Sequence, residues 1–467
     1  MTFERTAFAQ TVLDPGVFAA RRRTVMDAYG PGSVLVVAAA GHALRNGDVD
    51  HEWRQSSDFW YLTGFDEPET LLVLVPGRAD GEAVAFVRPR DPAQEVWHGR
   101  RVGVEGAIAR LGVDQAFDLK DFDEQLANLV EGAKQLCWHV GRDPALDQRL
   151  IRVTRRHRAT PRLHLDGPDF FADLAAVMGE LRLIKGPAEI EALRRAAKLT
   201  AEAHNEAMRV CQSGMNERQL QAVVEFVFRA GGAARVGYGS IVARGDNATI
   251  LHYVENDQMI GPSDLVLIDA GGEVAYQTAD ITRTFPASGR FSPEQRAVYE
   301  VVLQAEHAAI ALCTPEHRFV EVHERAVQVL TEGLVKIGLL RGDVEQLIQD
   351  EKYKRFYMHR TSHWLGMDVH DAGRYHDSLP TGNLSRQLVP GMVLTVEPGL
   401  YIAADDTEVP ERFRGIGVRI EDDILITAGA PEVLTADCIK EIDDIERIVG
   451  TGGRWVAAVD PAFGDPF

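Results

Sequence analysis

The sequence predicts an α+β protein of two domains: a smaller α/β domain, then a larger one whose helices flank an antiparallel-leaning sheet. Three observations lead there. A chain of 467 residues exceeds what one hydrophobic core organises. Its first part alternates short apolar strands with helical spacing, the pattern of a mixed α/β domain. Its second part runs in blocks, helix-rich and then strand-rich, the pattern of an α+β domain.

Taken in order, "SVLVVAAA" (33–40), "ETLLVLVPG" (69–77), "EAVAFVRPR" (82–90) and "QLCWHVG" (135–141) read as buried strands. Between the last two, "DFDEQLANLVEGA" (121–133) spaces its apolar residues as a helix does. At "LIKGPAEIEALRR", Gly186 and Pro187 open an amphipathic helix with acids in its first turn and arginines later, as the helix dipole favours. The domain boundary is placed just before it, giving domains 1–179 and 180–467. The second domain should be helix-rich to about 235, strand-rich over 236–285, helical over about 293–340 and strand-dominated from 390 to about 448. No internal repeat or low-complexity tract interrupts it.

Composition narrows the function. The chain is 45% hydrophobic and 26% charged, ordinary for a soluble globular protein. Fifty basic residues against seventy acidic ones give a net charge of −20, which argues against nucleic acid as a partner. Excess carboxylates suit a soluble enzyme and are what hard cations require. Cys137, Cys211, Cys313 and Cys438 are too few and too scattered for a disulfide framework or a zinc motif, so they read as reduced thiols. The opening "MTFERTAFAQTVLDPG" has no secretory pattern, and no run approaches the roughly eighteen apolar residues that span a bilayer. The expected location is cytoplasmic, with no membrane partner.

Four acids stand in unusual company. In "SDLVLIDAGGEVAYQTADITRTFP" (263–286), Asp269 ends a strand, a Gly-Gly turn follows, and Asp280 lies in a second strand, so a hairpin could set both carboxylates side by side. Adjacent carboxylates repel unless a cation or shared proton sits between them. Glu397 lies in "GMVLTVEPGLYI" and Glu421 in "GIGVRIEDDILIT", each within an apolar run where a glutamate is rarely buried unless paired or metal-bound. One such glutamate can simply point outward. Four acids at strand positions are harder to dismiss. Their charge of −4 matches two divalent cations, and mostly oxygen ligands with one nitrogen favour Mn²⁺ or a similar ion. Two metals about 3.5–4 Å apart can activate a water and polarise a carbonyl, which is hydrolytic machinery.

The nitrogen would come from "MHRTSHWLGMDVHDAG" (358–373), which holds His359, His363 and His370 among 15 histidines in all. Spacing alone leaves ligands, acid–base groups and packed residues open. His359 and His363 are four apart, as on a zinc-peptidase helix, but no glutamate follows His359 and Gly366 disfavours a long helix.

Asp269, Asp280, His363, Glu397 and Glu421, in that order and context, resemble the metal set of the pita-bread metallopeptidases. "HRTSHWLGMDVHD" resembles the signature of the proline-peptidase branch, nearer to aminopeptidase P than to prolidase. "RQSSDFWYLTGFDEPE", beginning at Arg54, and "VWHGRRVG" (96–103) resemble that group's non-catalytic N-terminal domain. The resemblance spans nearly the whole chain. It implies a creatinase/prolidase-like architecture, with a pita-bread domain after a smaller domain that serves oligomerisation and the active-site rim. It implies a dinuclear metal-dependent exopeptidase that releases the first residue of peptides with proline second, by attack of a metal-bridging hydroxide.

Carried over, Asp269 and Asp280 bind the metals, with Asp280 bridging. His363 and Glu397 bind one metal, and Glu421 bridges both. Glu397 also takes a proton from the attacking water. His252 stabilises the intermediate or guides the leaving group, His370 stands near the scissile bond, and His359 lines the proline side. Arg419 supports the ligands from two residues before Glu421. Tyr401 and Trp97 belong to the pocket and its rim, Trp97 reaching a neighbour's site in a homodimer or homotetramer. Arg360 stands where many relatives have glycine. The rival readings are a prolidase acting on Xaa-Pro dipeptides and a metal-free, creatinase-like or peptide-binding relative.

Overall fold

The computed structural model describes residues 14–159, 166–379 and 382–456; the opening segment read above for a secretory pattern lies largely outside them. The described chain forms two compact units, one ending at Leu181 and the other beginning at Arg182.

The first unit is built on a six-stranded mixed sheet. Its order is Gln115–Asp118, Ala83–Val87, Leu71–Leu74, Ser33–Ala38, Gln135–Trp138, Phe170–Asp173. The four stretches read as strands are four of these six. The two others, at the sheet edges, are exposed or half-buried and carry no apolar run to reveal them. The helix Phe122–Leu129 buries Phe122 and Leu126 against Val34, Val36 and Phe86, all with essentially no exposure. This is the apolar burial that makes such a sheet stable.

The second unit pairs its strands antiparallel throughout the described residues. One sheet is Ile241–Arg244, Leu265–Ala270 and Ile281–Pro286; another is Val393–Val396, Asp422–Leu425 and Glu432–Val433. A two-stranded piece, Gly399–Tyr401 with Gly417–Arg419, lies beside them. An isolated bridge between Thr282 and Glu421 links the first sheet to the chain between the other two. Helices Pro187–Val210, Glu217–Ala230, Pro293–Ile310 and Phe319–Lys336 pack around these sheets. Their starts follow the sequence. Pro187 sits where its missing N–H costs nothing, and the Glu189 carboxylate accepts from the Gly186 N–H at 3.0 Å. At the third helix the bonds are reciprocal: Ser292 N–H donates to Gln295 Oε1 and Gln295 N–H to Ser292 Oγ.

Two details of the 263–286 stretch differ from the sequence reading. The chain does not turn at Gly271–Gly272. It turns at Ala275–Tyr276, whose φ of 50° and 63° close a two-residue hairpin between Val274 and Gln277. Gly271 is needed for another reason: a Cβ there would lie 1.7 Å from the Ala279 carbonyl oxygen. The expected second strand is also broken, into Gln277–Thr278 and Ile281–Pro286, and Asp280 occupies the break.

No helix among the described residues is long and apolar enough to cross a membrane. The four cysteines are free and buried.

Candidate metal centre and active site

The acids converge because the sheet register and the bridge bring their strand ends together. Asp269 pairs across the sheet with Thr282. Asp280 is two residues from Thr282 and so sits diagonally from Asp269, on the same face of the pairing. Glu421 is tied to that same threonine twice: its N–H donates to the Thr282 carbonyl at 3.1 Å, and its Oε2 accepts from the Thr282 hydroxyl at 2.6 Å. Glu397 follows Val393–Val396 directly. From there the strand runs against the histidine-bearing loop: Glu397 N–H donates to Thr361 O at 2.8 Å, and Thr395 N–H to His363 O at 3.0 Å. His363 is thereby carried to the acids by backbone bonds, on a loop rather than a helix.

In the resulting cluster His363 Nε2 lies 3.4 Å from Asp280 Oδ2 and 3.7 Å from Glu397 Oε1. Asp280, His363 and Glu421 each offer one ligand atom within 4.8 Å of the others. His363 Nδ1 donates to the Trp364 carbonyl at 3.0 Å, which fixes the ring's orientation and aims Nε2 at the acids, as the ligand atom once its proton is displaced. Asp269 joins through Tyr238, whose hydroxyl is 2.6 Å from Asp269 Oδ1 and also meets Asp280 Oδ1. A phenol has one proton to give, so it can satisfy only one of the two carboxylates.

The electrostatics say what the cluster can hold. Burial, then repulsion from the other acids, pushes the Glu421 carboxyl well up from its ordinary value, and burial raises Asp280 and Glu397 as well. Burial would lower His363, but Asp280 and Glu397 outweigh it and hold the imidazole up at about 9. Against four carboxyls the cluster offers one permanent cation, Arg419, which reaches Asp269 Oδ2 at 2.5 Å. Buried acids crowded beyond their positive partners, with a neutral-capable nitrogen among them, are the donor set a hard divalent cation requires. The residues fit the group.

Arg419 is less a same-strand neighbour of Glu421 than its partner through Thr282. Its Nε donates to the Thr282 hydroxyl oxygen at 3.1 Å and its Nη1 to the Tyr401 oxygen at 3.2 Å. Tyr401 donates in turn to His359 Nε2 at 2.8 Å, while His359 Nδ1 donates to the Arg360 carbonyl at 2.7 Å. Burial, then the Arg419 charge, pushes His359 down to about 4, so it is a neutral acceptor for Tyr401. Arg419, His359 and the five clustered residues line one cavity of about 970 Å³, together with His252, His370, Arg360 and the apolar Ile241, Leu251, Val254 and Phe319; Tyr401, expected in the pocket, is buried and not among the lining residues. His252 is exposed on its wall, and the His370 ring stands edge-on to His363 with centroids 4.4 Å apart. Burial, then the charge on His363, lowers His370. Trp97 lies in the other unit, 80% exposed, and is not among the lining residues.

Sequence reasoning missed Tyr238 and Thr282, the two hydroxyl residues that join the acids. Tyr238 stands 31 residues from Asp269 in a glycine-rich stretch with no pattern around it. Thr282 was signalled only by its place two residues after Asp280.

The fold and the buried acid–imidazole cluster together define a metallopeptidase. The chain belongs to metallopeptidase family M24, whose family model matches residues 191–428, and residues 18–138 match the aminopeptidase P N-terminal domain. More particularly, it is similar to Xaa-Pro aminopeptidases. It is 43% identical over 433 residues to the Xaa-Pro aminopeptidase of Escherichia coli (strain K12), covering 92% of this chain and 97% of that one. Among solved structures, the Pseudomonas aeruginosa aminopeptidase PepP superposes with a TM-score of 0.91 at 48% identity, covering 93% of this chain and 98% of its own. A zinc-substituted E. coli aminopeptidase P in complex with product superposes with a TM-score of 0.90 at 42% identity and the same coverages.

Proposed function

We propose that the chain is an Xaa-Pro aminopeptidase, releasing the N-terminal residue from peptides whose second residue is proline. The observation that carries this reading is the gathering of Asp269, Asp280, His363, Glu397 and Glu421 at one cavity of a family M24 fold. Those five residues would hold two divalent cations. The count of two follows from four carboxylates, and Mn²⁺ from a shell of oxygens with one imidazole. When bound, such cations activate water and polarise the scissile carbonyl.

The chain's own residues supply the rest. Glu397, at the edge of the cluster, takes the proton of the attacking water on its carboxylate. Arg419, Tyr401 and His359 form a hydrogen-bonded row that fixes the wall beside the acids, so that His359 stays neutral and in one tautomer. His252 and His370, on the cavity surface, stabilise the developing oxyanion and escort the departing proline nitrogen. Selectivity follows from the bond itself. An Xaa-Pro amide has no N–H to grip and a fixed φ, so a wall of imidazole and phenol rings that packs the pyrrolidine replaces that grip.

Similarity to Xaa-Pro aminopeptidases, rather than dipeptidases, favours this substrate length over that of a prolidase. A cytoplasmic location, consistent with four unpaired buried thiols, and assembly into a homodimer or homotetramer that brings Trp97 to a neighbour's rim complete the proposal. Turnover of an Xaa-Pro-Xaa peptide and of an Xaa-Pro dipeptide, measured with Mn²⁺ alongside the metal content of the protein, tests it. Cleavage of the tripeptide should dominate with about two metals bound per chain. Preference for the dipeptide would make the chain a prolidase, and no metal uptake would remove the enzyme reading.

A further inference from the structure

His323 lines the same cavity but plays no part in the mechanism above. It stands near the start of the helix Phe319–Lys336, half-buried, one turn after Phe319 and Val320, which also line the cavity. Its Nδ1 is 2.8 Å from Thr361 Oγ1, and Thr361 Oγ1 is 2.6 Å from the Tyr357 hydroxyl. Thr361 and Tyr357 have no exposure at all. That burial settles the direction of each bond. The Tyr357 proton has no other acceptor among the described residues, and a buried O–H left unpaired is costly, so Tyr357 donates to Thr361. Thr361 must then give its own proton to His323 Nδ1. A proton on Nδ1 would orphan the threonine's. The imidazole therefore carries its hydrogen on Nε2, which has no partner among the described residues and is the polar atom the ring offers the cavity. Burial, then the nearby Arg360 charge, pushes His323 down to about 4, so it stays a neutral donor across the working pH range.

The position of this donor says what it meets. Glu397 and His359, 3.9 Å apart, line the cavity; the buried Tyr357 ring packs behind the wall, with centroids 4.8 Å from His359 and 5.9 Å from His323, so that His323 is the next ring of this wall. An extended peptide advances about 3.3–3.6 Å per residue, so a peptide running along this side meets His323 within about four residues of the reacting carbonyl. We propose that His323 donates its Nε2–H to an oxygen of the peptide beyond the proline, either a main-chain carbonyl or the terminal carboxylate of a short substrate, and thereby favours peptides longer than Xaa-Pro. This inference rests on the Xaa-Pro exopeptidase reading.

The test compares His323→Phe and His323→Gln in the metal-loaded enzyme. The phenyl ring keeps the shape and loses the donor, whereas the glutamine amide returns a donor near the Nε2 position. His323→Phe should raise KM for Xaa-Pro-Xaa and Xaa-Pro-Xaa-Xaa by about tenfold, the worth of one hydrogen bond at the upper end of the net range. It should change kcat by less than about twofold and leave unchanged the Ki of an Xaa-Pro dipeptide as competitive inhibitor, and His323→Gln should recover most of the loss. If the effect falls on the free-acid tripeptide and spares its amide, the oxygen is the terminal carboxylate. If both are affected, it is a carbonyl. An unchanged KM in His323→Phe, an equal loss for the dipeptide, or no recovery with glutamine would overturn the inference. Should His323→Phe not fold, side-chain ¹⁵N shifts of the unaltered protein, loaded with a diamagnetic divalent cation, decide: an Nδ1–H tautomer at His323 overturns it. Failure of the unaltered enzyme to cut any Xaa-Pro-Xaa peptide would instead strike the underlying function.

Discussion

Glu421 and Asp422 are adjacent in the chain and almost equally buried, at 2% and 0% exposure, yet they end in two clusters of opposite character. Glu421 joins four carboxyls served by one permanent cation. Asp422 joins a network in which two acids, itself and Glu306, meet two bases, although burial and the Asp422 charge still push the Glu306 carboxyl well up. Its Oδ1 accepts from Arg283 at 2.7 Å and Thr435 at 2.6 Å, its Oδ2 from Lys440 at 2.6 Å, and Lys440 also reaches Glu306 at 2.7 Å. Burial alone would raise Asp422, but Arg283 and Lys440 outweigh it and hold the carboxyl far below its ordinary value. Burial therefore does not distinguish a working acid from a structural one; the balance of charge around it does. Arg283 ties the two clusters together, since its Nη1 donates to the backbone carbonyls of Thr282 and Glu421 at 3.0 and 2.7 Å.

The contrast can be broken from either side. The largest effect is expected on the open side: Glu397→Gln should lower kcat/KM by about a thousandfold while the melting temperature of the metal-free protein holds, because it removes a proton acceptor and a cation ligand but no packing. On the closed side, Asp422→Ala should cost about 3–5 kcal/mol in urea unfolding, since it leaves Arg283 buried without its partner.

Cations sharpen the difference. Divalent metal at a hundred times its Kd should stabilise the unaltered protein by about 2.7 kcal/mol, and Glu421→Gln should lose most of that gain. The pH response carries the same signature. In metal-free protein, burial raises Glu397 from 4.5 to about 8, so the folded state binds this proton more tightly than the unfolded one. The associated stability is full below about 4.5 and lost as pH climbs through about 8. Denaturation midpoints should fall over that window without metal and stay nearly level with it. The smallest effect belongs to a pair on neither side: Arg194 and Glu432, 45% and 37% exposed and bonded at 2.7 Å, should lose no more than about 1 kcal/mol on Arg194→Ala.

Much of this was legible in the sequence, for identifiable reasons. Glu397 and Glu421 stood out because an acid inside an apolar run demands an explanation, and the long helices announced themselves through their spacing and first residues. What "IEDDILI" could not say is which of its three acids faces the metal cluster, since all three share one apolar context and all three are buried. Pattern drew attention to Glu421, and resemblance set it apart from Asp422 and Asp423. Tyr238 left no trace because its partners are set by tertiary register, and the turn was misplaced because glycine pairs mark close approach as well as reversal. The row from Arg419 to His359 was half visible: each residue was named, but the bonds joining them depend on a loop with no periodicity to read.

The Ala275–Tyr276 turn has a bearing on how this molecule could be altered. Two non-glycine residues at positive φ each carry strain of about 1 kcal/mol or more, and they are retained beside the break that carries Asp280. The Tyr276 ring is 9% exposed, with the Arg235 guanidinium 5.4 Å over it, so its own packing helps keep the bend in place. Ala275 packs against the core through a single methyl group. An engineer seeking a hardier catalyst would look first to glycine or asparagine there, where tolerance to heat can be raised without touching an atom that meets the substrate.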